Sequence, residues 1–114
     1  MSQTYFSEFA NGGTKDIAVG IISGDDSRYP ALKPLFERYG YGFTDIRIGC
    51  VFIDGEAGLS TDAIKWVEAH EVAHIISGSL DERETDLLAH QLLLEKGYVK
   101  SAELVMKNLK RHEI

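Results

Sequence analysis

The sequence predicts a small α+β domain occupying residues 1–114 as a single unit. Three observations carry that expectation. The first half holds short apolar runs bounded by turn residues, the second half is helical in its periodicity, and no repeat, low-complexity stretch or linker divides the chain. A chain of 114 residues suits one domain and buries roughly two thirds of its unfolded surface.

Residues 16–22, "DIAVGII", read as a buried strand ending at the turn "SGDD". "YPALKPLFERYGYG" follows as a short helix, with Pro30 near its start, Pro34 in its first turn and Gly40 just past its end. A second strand is expected over residues 45–54, "DIRIGCVFID". It alternates at first, becomes continuously apolar as suits a half-covered sheet, and stops at the turn "DGEAG". Three helices complete the chain. Residues 60–77 open on Ser60 or Thr61 as N-cap and close at Gly78. Residues 80–97 close at Gly97, and residues 101–113 are amphipathic, with Leu104, Val105 and Leu109 on the apolar side. The expected architecture is a sheet of two to four strands packed on the 60–77 and 80–97 helices, with a C-terminal helix.

Bulk chemistry excludes several classes. Lys plus Arg is 12 against 18 Asp plus Glu, a net charge of -6, which opposes attraction to a phosphate backbone, so no nucleic-acid partner is expected. The locally basic tail "KNLKRHEI" reads as a solvated helix end favoured by the helix dipole. The lone cysteine, Cys50, lies in an apolar run and reads as a small buried hydrophobe. No signal peptide or membrane span is legible, and a cytoplasmic setting is the expectation.

The chemistry concentrates in "WVEAHEVAHIISGSLDERETD", residues 66–86. With about 100° of rotation per residue, His70, Glu71 and His74 share an arc of roughly 100° on one side of their helix. Ile64, Ala69, Val72, Ile75 and Ile76 take the opposite side and are expected to pack on the sheet. Lys65 and Glu68 intrude there, in opening turns where they are expected to reach water. Two imidazoles one turn apart can direct ring nitrogens at one ion, and Zn2+ suits neutral histidine. A carboxylate beside them can accept a proton from metal-activated water. The pattern is His-Glu-x-x-His, the signature of zinc-dependent peptidases, with His70 and His74 as metal ligands and Glu71 as catalytic base. With 4 histidines in 114 residues, random order produces it about 1% of the time. Its alternative, a buried helix with two satisfied histidines, makes a poor core, because polar groups buried unpaired cost several kcal/mol.

A catalytic zinc site needs a third protein ligand, and no third histidine lies at the downstream spacing. Asp81, Glu82, Glu84 and Asp86 are the candidates on the next helix. With Glu82 at zero, Asp86 falls at about 40°, Ala89 at about 340° and Leu93 at about 20°, one stripe with two acids at its top. Glu84 lies nearly opposite, with Leu87, Leu88 and Gln91. This face favours Glu82 as ligand and Asp86 as the acceptor that orients a ligand histidine. Glu84 stays the alternative ligand, and Ser79-x-x-Glu82 also reads as a capping box. His90 and Tyr98 are weaker candidates for a donor to the transition state.

"HEVAH" followed closely by "ERETDLLAHQLLLEKG" resembles the ImmA/IrrE family of zinc metallopeptidases, in which a Glu-x-x-Ala-Asn/Asp-x-Phe-Ala-x-x-Leu-Leu helix follows the first motif. Glu82, Thr85, Asp86, Leu88, Ala89, Leu92 and Leu93 stand at those positions, Thr85 and Leu88 replacing the usual Ala and Phe. The resemblance covers residues 46–96 and extends to the strand "VFIDGEAGLS". It implies a zincin-like fold, Glu82 as zinc ligand supported by Asp86, and cleavage of a specific protein substrate, often a regulatory protein. The expected function is a zinc endopeptidase. The alternatives are a non-catalytic, zinc-stabilised interaction module and a metal-dependent hydrolase of a non-peptide amide.

Overall fold

Strands β1 (Gln3–Phe6), β2 (Ala18–Ile22), β3 (Gly42–Asp45) and β4 (Cys50–Asp54) form one sheet in the order β1-β2-β4-β3. This is a computed structural model that describes residues 1–9 and 16–112, with side chains described to residue 107. The sheet is mixed. β2 runs parallel to β4, while β1 on β2 and β3 on β4 are antiparallel. Four helices accompany it among the described residues: α1 (Tyr29–Tyr39), α2 (Thr61–Ser77), α3 (Glu82–Glu95) and α4 (Val99–His112). The architecture is the expected small α+β domain.

Two strand boundaries depart from the sequence reading. Residues 45–54 are not one strand: 46–49 form the turn of a hairpin joining β3 to β4. The Asp45 carboxylate accepts the Arg47 N–H at 3.1 Å, and Gly49 adopts φ 64. That local chemistry reverses the chain despite the alternating "IRI" that imitates a strand. Ile46 and Ile48 consequently stand exposed on the turn. β1 was not anticipated, because four residues without a turn signal on either side give too short a pattern to read.

The parallel pairing of β2 with β4 sets the two faces of the sheet. Val19 lies beside Val51 and Ile21 beside Ile53, and this face packs against α2. Phe52 and Phe43 stack on the other face with centroids 5.2 Å apart, and Phe36 of α1 covers Phe43 at 5.4 Å. Pro34 lies inside α1 rather than in its first turn, since the helix already begins at Tyr29. Its ring deprives the Pro30 carbonyl of a helical donor.

The caps of α2 fall where the sequence puts them. Ser60 Oγ accepts the Ala63 N–H at 3.1 Å, and Gly78 takes the left-handed conformation at φ 66. At α3 the cap is Asp81, whose side chain accepts the Glu84 N–H at 3.0 Å, so the Ser79-x-x-Glu82 capping box does not form. α3 packs against α2 and α4. Ala89, Leu93, Ala102 and Val105 join the core between these helices. The side chain of Leu109, expected on the apolar face, lies outside the described residues. Cys50 is half-buried at the start of β4. No helix among the described residues is long and apolar enough to cross a membrane.

Candidate metal centre

α2 packs its middle turns against the sheet, with Ala69, Val72 and Ala73 fully buried. That fixes the rotation of the helix and leaves His70, Glu71 and His74 facing a cleft. The ligand atoms of the three lie within 4.8 Å of one another, close enough to hold one metal ion. The histidine rings meet edge to face, with centroids 4.8 Å apart.

Each imidazole is turned by a bond on its far nitrogen. His70 Nδ1 lies 2.7 Å from Oδ1 of Asp86, a carboxylate that is 1% exposed. His74 Nδ1 lies 2.9 Å from the Ser79 carbonyl oxygen, and the buried Thr85 hydroxyl stands 3.3 Å from the same nitrogen. A carbonyl can only accept, so His74 Nδ1 carries the proton, and an ionised Asp86 demands the same of His70. Both Nε2 atoms are thereby left to face the cleft. This is the supporting arrangement that orients metal-binding histidines.

Glu82 reaches both of them from the first turn of α3. Its Oε2 is 3.0 Å from His70 Nε2 and its Oε1 is 3.3 Å from His74 Nε2. In a tetrahedral zinc site with bonds of about 2.0–2.1 Å, neighbouring ligand atoms stand about 3.3 Å apart. Two imidazoles and a carboxylate are donor chemistry that suits such an ion, and each Glu82 oxygen stands at about that distance from one of the two nitrogens. Glu82 stands on the solvent side, with its side chain 64% exposed, so it approaches the histidines from outside while Glu71 lies within. Glu84 is engaged elsewhere, accepting a hydrogen bond from Ser79 Oγ at 3.1 Å.

Glu71 is 7% exposed, and its Oε2 is buried with no hydrogen-bond partner among the described residues. Burial raises its pKa; the two histidines pull it down and Glu82 raises it further, for a net rise. Thr44 of β3 donates its hydroxyl to the Glu71 carbonyl at 3.2 Å, fastening the edge of the sheet to α2 beside the site. Gly42 permits that approach, since a Cβ there would stand 2.7 Å from Val67 Cγ1.

Other expectations are corrected. His90 lines a separate groove between α3 and α4, and the Tyr98 hydroxyl donates to Glu8 at 2.8 Å, so neither joins the histidines. Glu68 does not reach water: it is fully buried, accepting hydrogen bonds from Tyr5 and, at 2.7 Å, from Ser7, with Lys65 Nζ 3.4 Å away. Ile76 is exposed rather than packed on the sheet, because α2 has already run past the strands there. Sequence reasoning also missed Ser79 and Thr44, whose contributions involve a backbone carbonyl and a contact across 27 residues. No protein-family model, no curated protein and no solved structure matches this chain.

Proposed function

We propose that this chain is a zinc-dependent endopeptidase, zincin-like in fold and of the ImmA/IrrE kind, that hydrolyses a peptide bond in a specific protein substrate. The observation that supports it most is the orphaned Oε2 of Glu71, buried beside two histidines whose Nδ1 atoms are already engaged. A buried acceptor without a partner costs about 1–3 kcal/mol, which a purely structural centre has no reason to maintain. Residues His70, His74 and Glu82 would hold the ion. Zinc, when bound, supplies Lewis acidity and draws the pKa of a water toward neutrality.

The chain's own residues do the rest. The Glu71 carboxylate would take a proton from the attacking water and later return it to the departing amine nitrogen. Asp86 and the Ser79 carbonyl hold the two rings in the tautomer that leaves Nε2 free. Among the described residues β3 pairs on one side only, with β4, and its other edge offers main-chain groups to an extended peptide. β4, by contrast, is paired on both sides, with β2 and β3, and has no edge to offer. The free edge beside the histidines favours a peptide over a small amide.

Elemental analysis of protein purified without added metal should give close to one zinc per chain, lost in His70→Ala. Glu71→Gln should retain that zinc while hydrolysis falls by about two to four orders of magnitude. Loss of zinc along with activity would make Glu71 a ligand instead of a base. Zinc retained with activity unchanged would end the catalytic reading.

A further inference from the structure

The cleft that opens onto the histidines has a volume of 490 Å³, and its walls have a definite chemical character. Tyr41, Phe43, Ile46, Trp66 and Leu80 are among its large apolar lining residues. Three of these are left uncovered: Tyr41 is 53% exposed, Ile46 57% and Leu80 80%. Large apolar side chains held in water around one cleft mark a surface that is covered in use. Neither Lys nor Arg lines the cleft among the described residues, whereas Glu71 and Glu82 do. A carboxylate side chain seated among these apolar residues would lose its water and find no Lys or Arg to pair with.

Two buried side-chain polar atoms lack a partner among the described residues, Glu71 Oε2 and Trp66 Nε1, and both belong to residues lining this cleft. Glu71 has a task under the peptidase reading.

We propose that the cleft selects an extended peptide by one bulky apolar side chain, aromatic or leucine-like, seated among Tyr41, Trp66 and Leu80 beside the bond to be cut, and that it rejects acidic side chains there. The inference rests on the peptidase reading for its chemistry, but its binding preference is measurable without turnover. Burial of such a side chain supplies affinity in proportion to apolar area, and the cost of burying an unpaired charge among the same residues supplies the rejection.

The test uses the zinc-loaded Glu71→Gln protein and capped pentapeptides, acetyl-Ala-Ala-Xaa-Ala-Ala-amide, with Xaa as Phe, Leu, Ala or Glu. Trp66 is the chain's single tryptophan and lies in the cleft wall, so its emission reports occupancy directly. The Phe and Leu peptides should bind about tenfold or more tighter than the Ala and Glu peptides. Tyr41→Ser and Leu80→Ser, both at exposed positions, should each shrink that ratio while leaving the melting temperature near that of the parent. Equal affinities, tighter binding of the Glu peptide, a preference untouched by both substitutions, or no binding at all would overturn the proposal. Mass spectrometry of the best-binding peptide after incubation with the unsubstituted protein separates the two ideas. An uncut peptide that still binds with the stated preference rejects the peptidase reading and leaves the selectivity standing.

Discussion

His70 and His74 sit one turn apart on the same helix, yet different partners turn their rings. His70 depends on a carboxylate brought by α3, and His74 on a backbone carbonyl that no substitution can remove. Asp86→Ala should therefore weaken zinc binding about 10- to 100-fold, measured by competition with a chromophoric chelator, with Asp86→Asn losing less because its amide oxygen still accepts. The same carboxylate governs protonation. Burial alone would lower the His70 pKa, but the hydrogen bond to Asp86 and the charges of Glu71, Asp86 and Glu82 more than offset it, so the net shift is above the ordinary 6.5. A histidine whose pKa is raised by folding contributes stability that is fully present below its unfolded value and is lost as pH rises through its folded value. Metal-free protein should accordingly lose stability as the buffer is taken from about pH 6 upward through that folded pKa. Urea denaturation in the presence of a chelator would show it, and a midpoint that climbs over that interval would contradict it.

At the scale of elements, α2 carries two polar systems on different sides. One is the histidine face. The other is Glu68, fully buried, with Tyr5 and Ser7 donating to it and Lys65 beside it. Burial and the Glu68 contact raise the Tyr5 pKa, keeping the phenol protonated as a donor. The Lys65 ammonium also lies 5.4 Å from the ring centroids of Tyr5 and Tyr98 and 5.8 Å from that of Phe9. This cluster ties β1 and the turn before α4 to the opening turns of α2, a little more than half a turn ahead of His70. Glu68→Ala leaves a hydroxyl pair and an ammonium short of a partner and should cost about 2–4 kcal/mol in urea denaturation. Glu68→Gln, which keeps an acceptor, should cost less. The sequence could not show this. An acid in the apolar arc of a helix reads as an intrusion until the strand that supplies its donors, 63 residues away at Tyr5, is in place.

For the whole molecule, the candidate ligands come from two helices, so an ion held by His70, His74 and Glu82 would clamp α3 to α2. Zinc that binds the native state alone adds about 2.7 kcal/mol at a free concentration one hundred times its dissociation constant. Thermal melts should rise by several degrees with zinc and fall back with a chelator, and His74→Ala should abolish the shift. An unchanged melting temperature at saturating zinc would show that the ion does not join the helices. The arrangement of the sheet bears on function in the same way. Because β4 is inserted between β2 and β3, the short strand β3 becomes an edge, and Thr44 holds that edge against α2 at Glu71.

The amino-acid order by itself determined what a single helix period can express. The four-residue spacing of His70 and His74, the place of Glu71 next to them, the Ser60 and Gly78 ends of α2, and the shared face of Glu82 and Asp86 all follow from local geometry, which depends on nearest neighbours along the chain. Only the tertiary structure decided which acid reaches the histidines, that Asp81 rather than Ser79 caps α3, that Glu68 is buried, that His90 and Tyr98 lie elsewhere, and that residues 46–49 turn. Those outcomes depend on how elements pack, and packing is settled by contacts between residues far apart in the chain, whose distances no periodicity encodes.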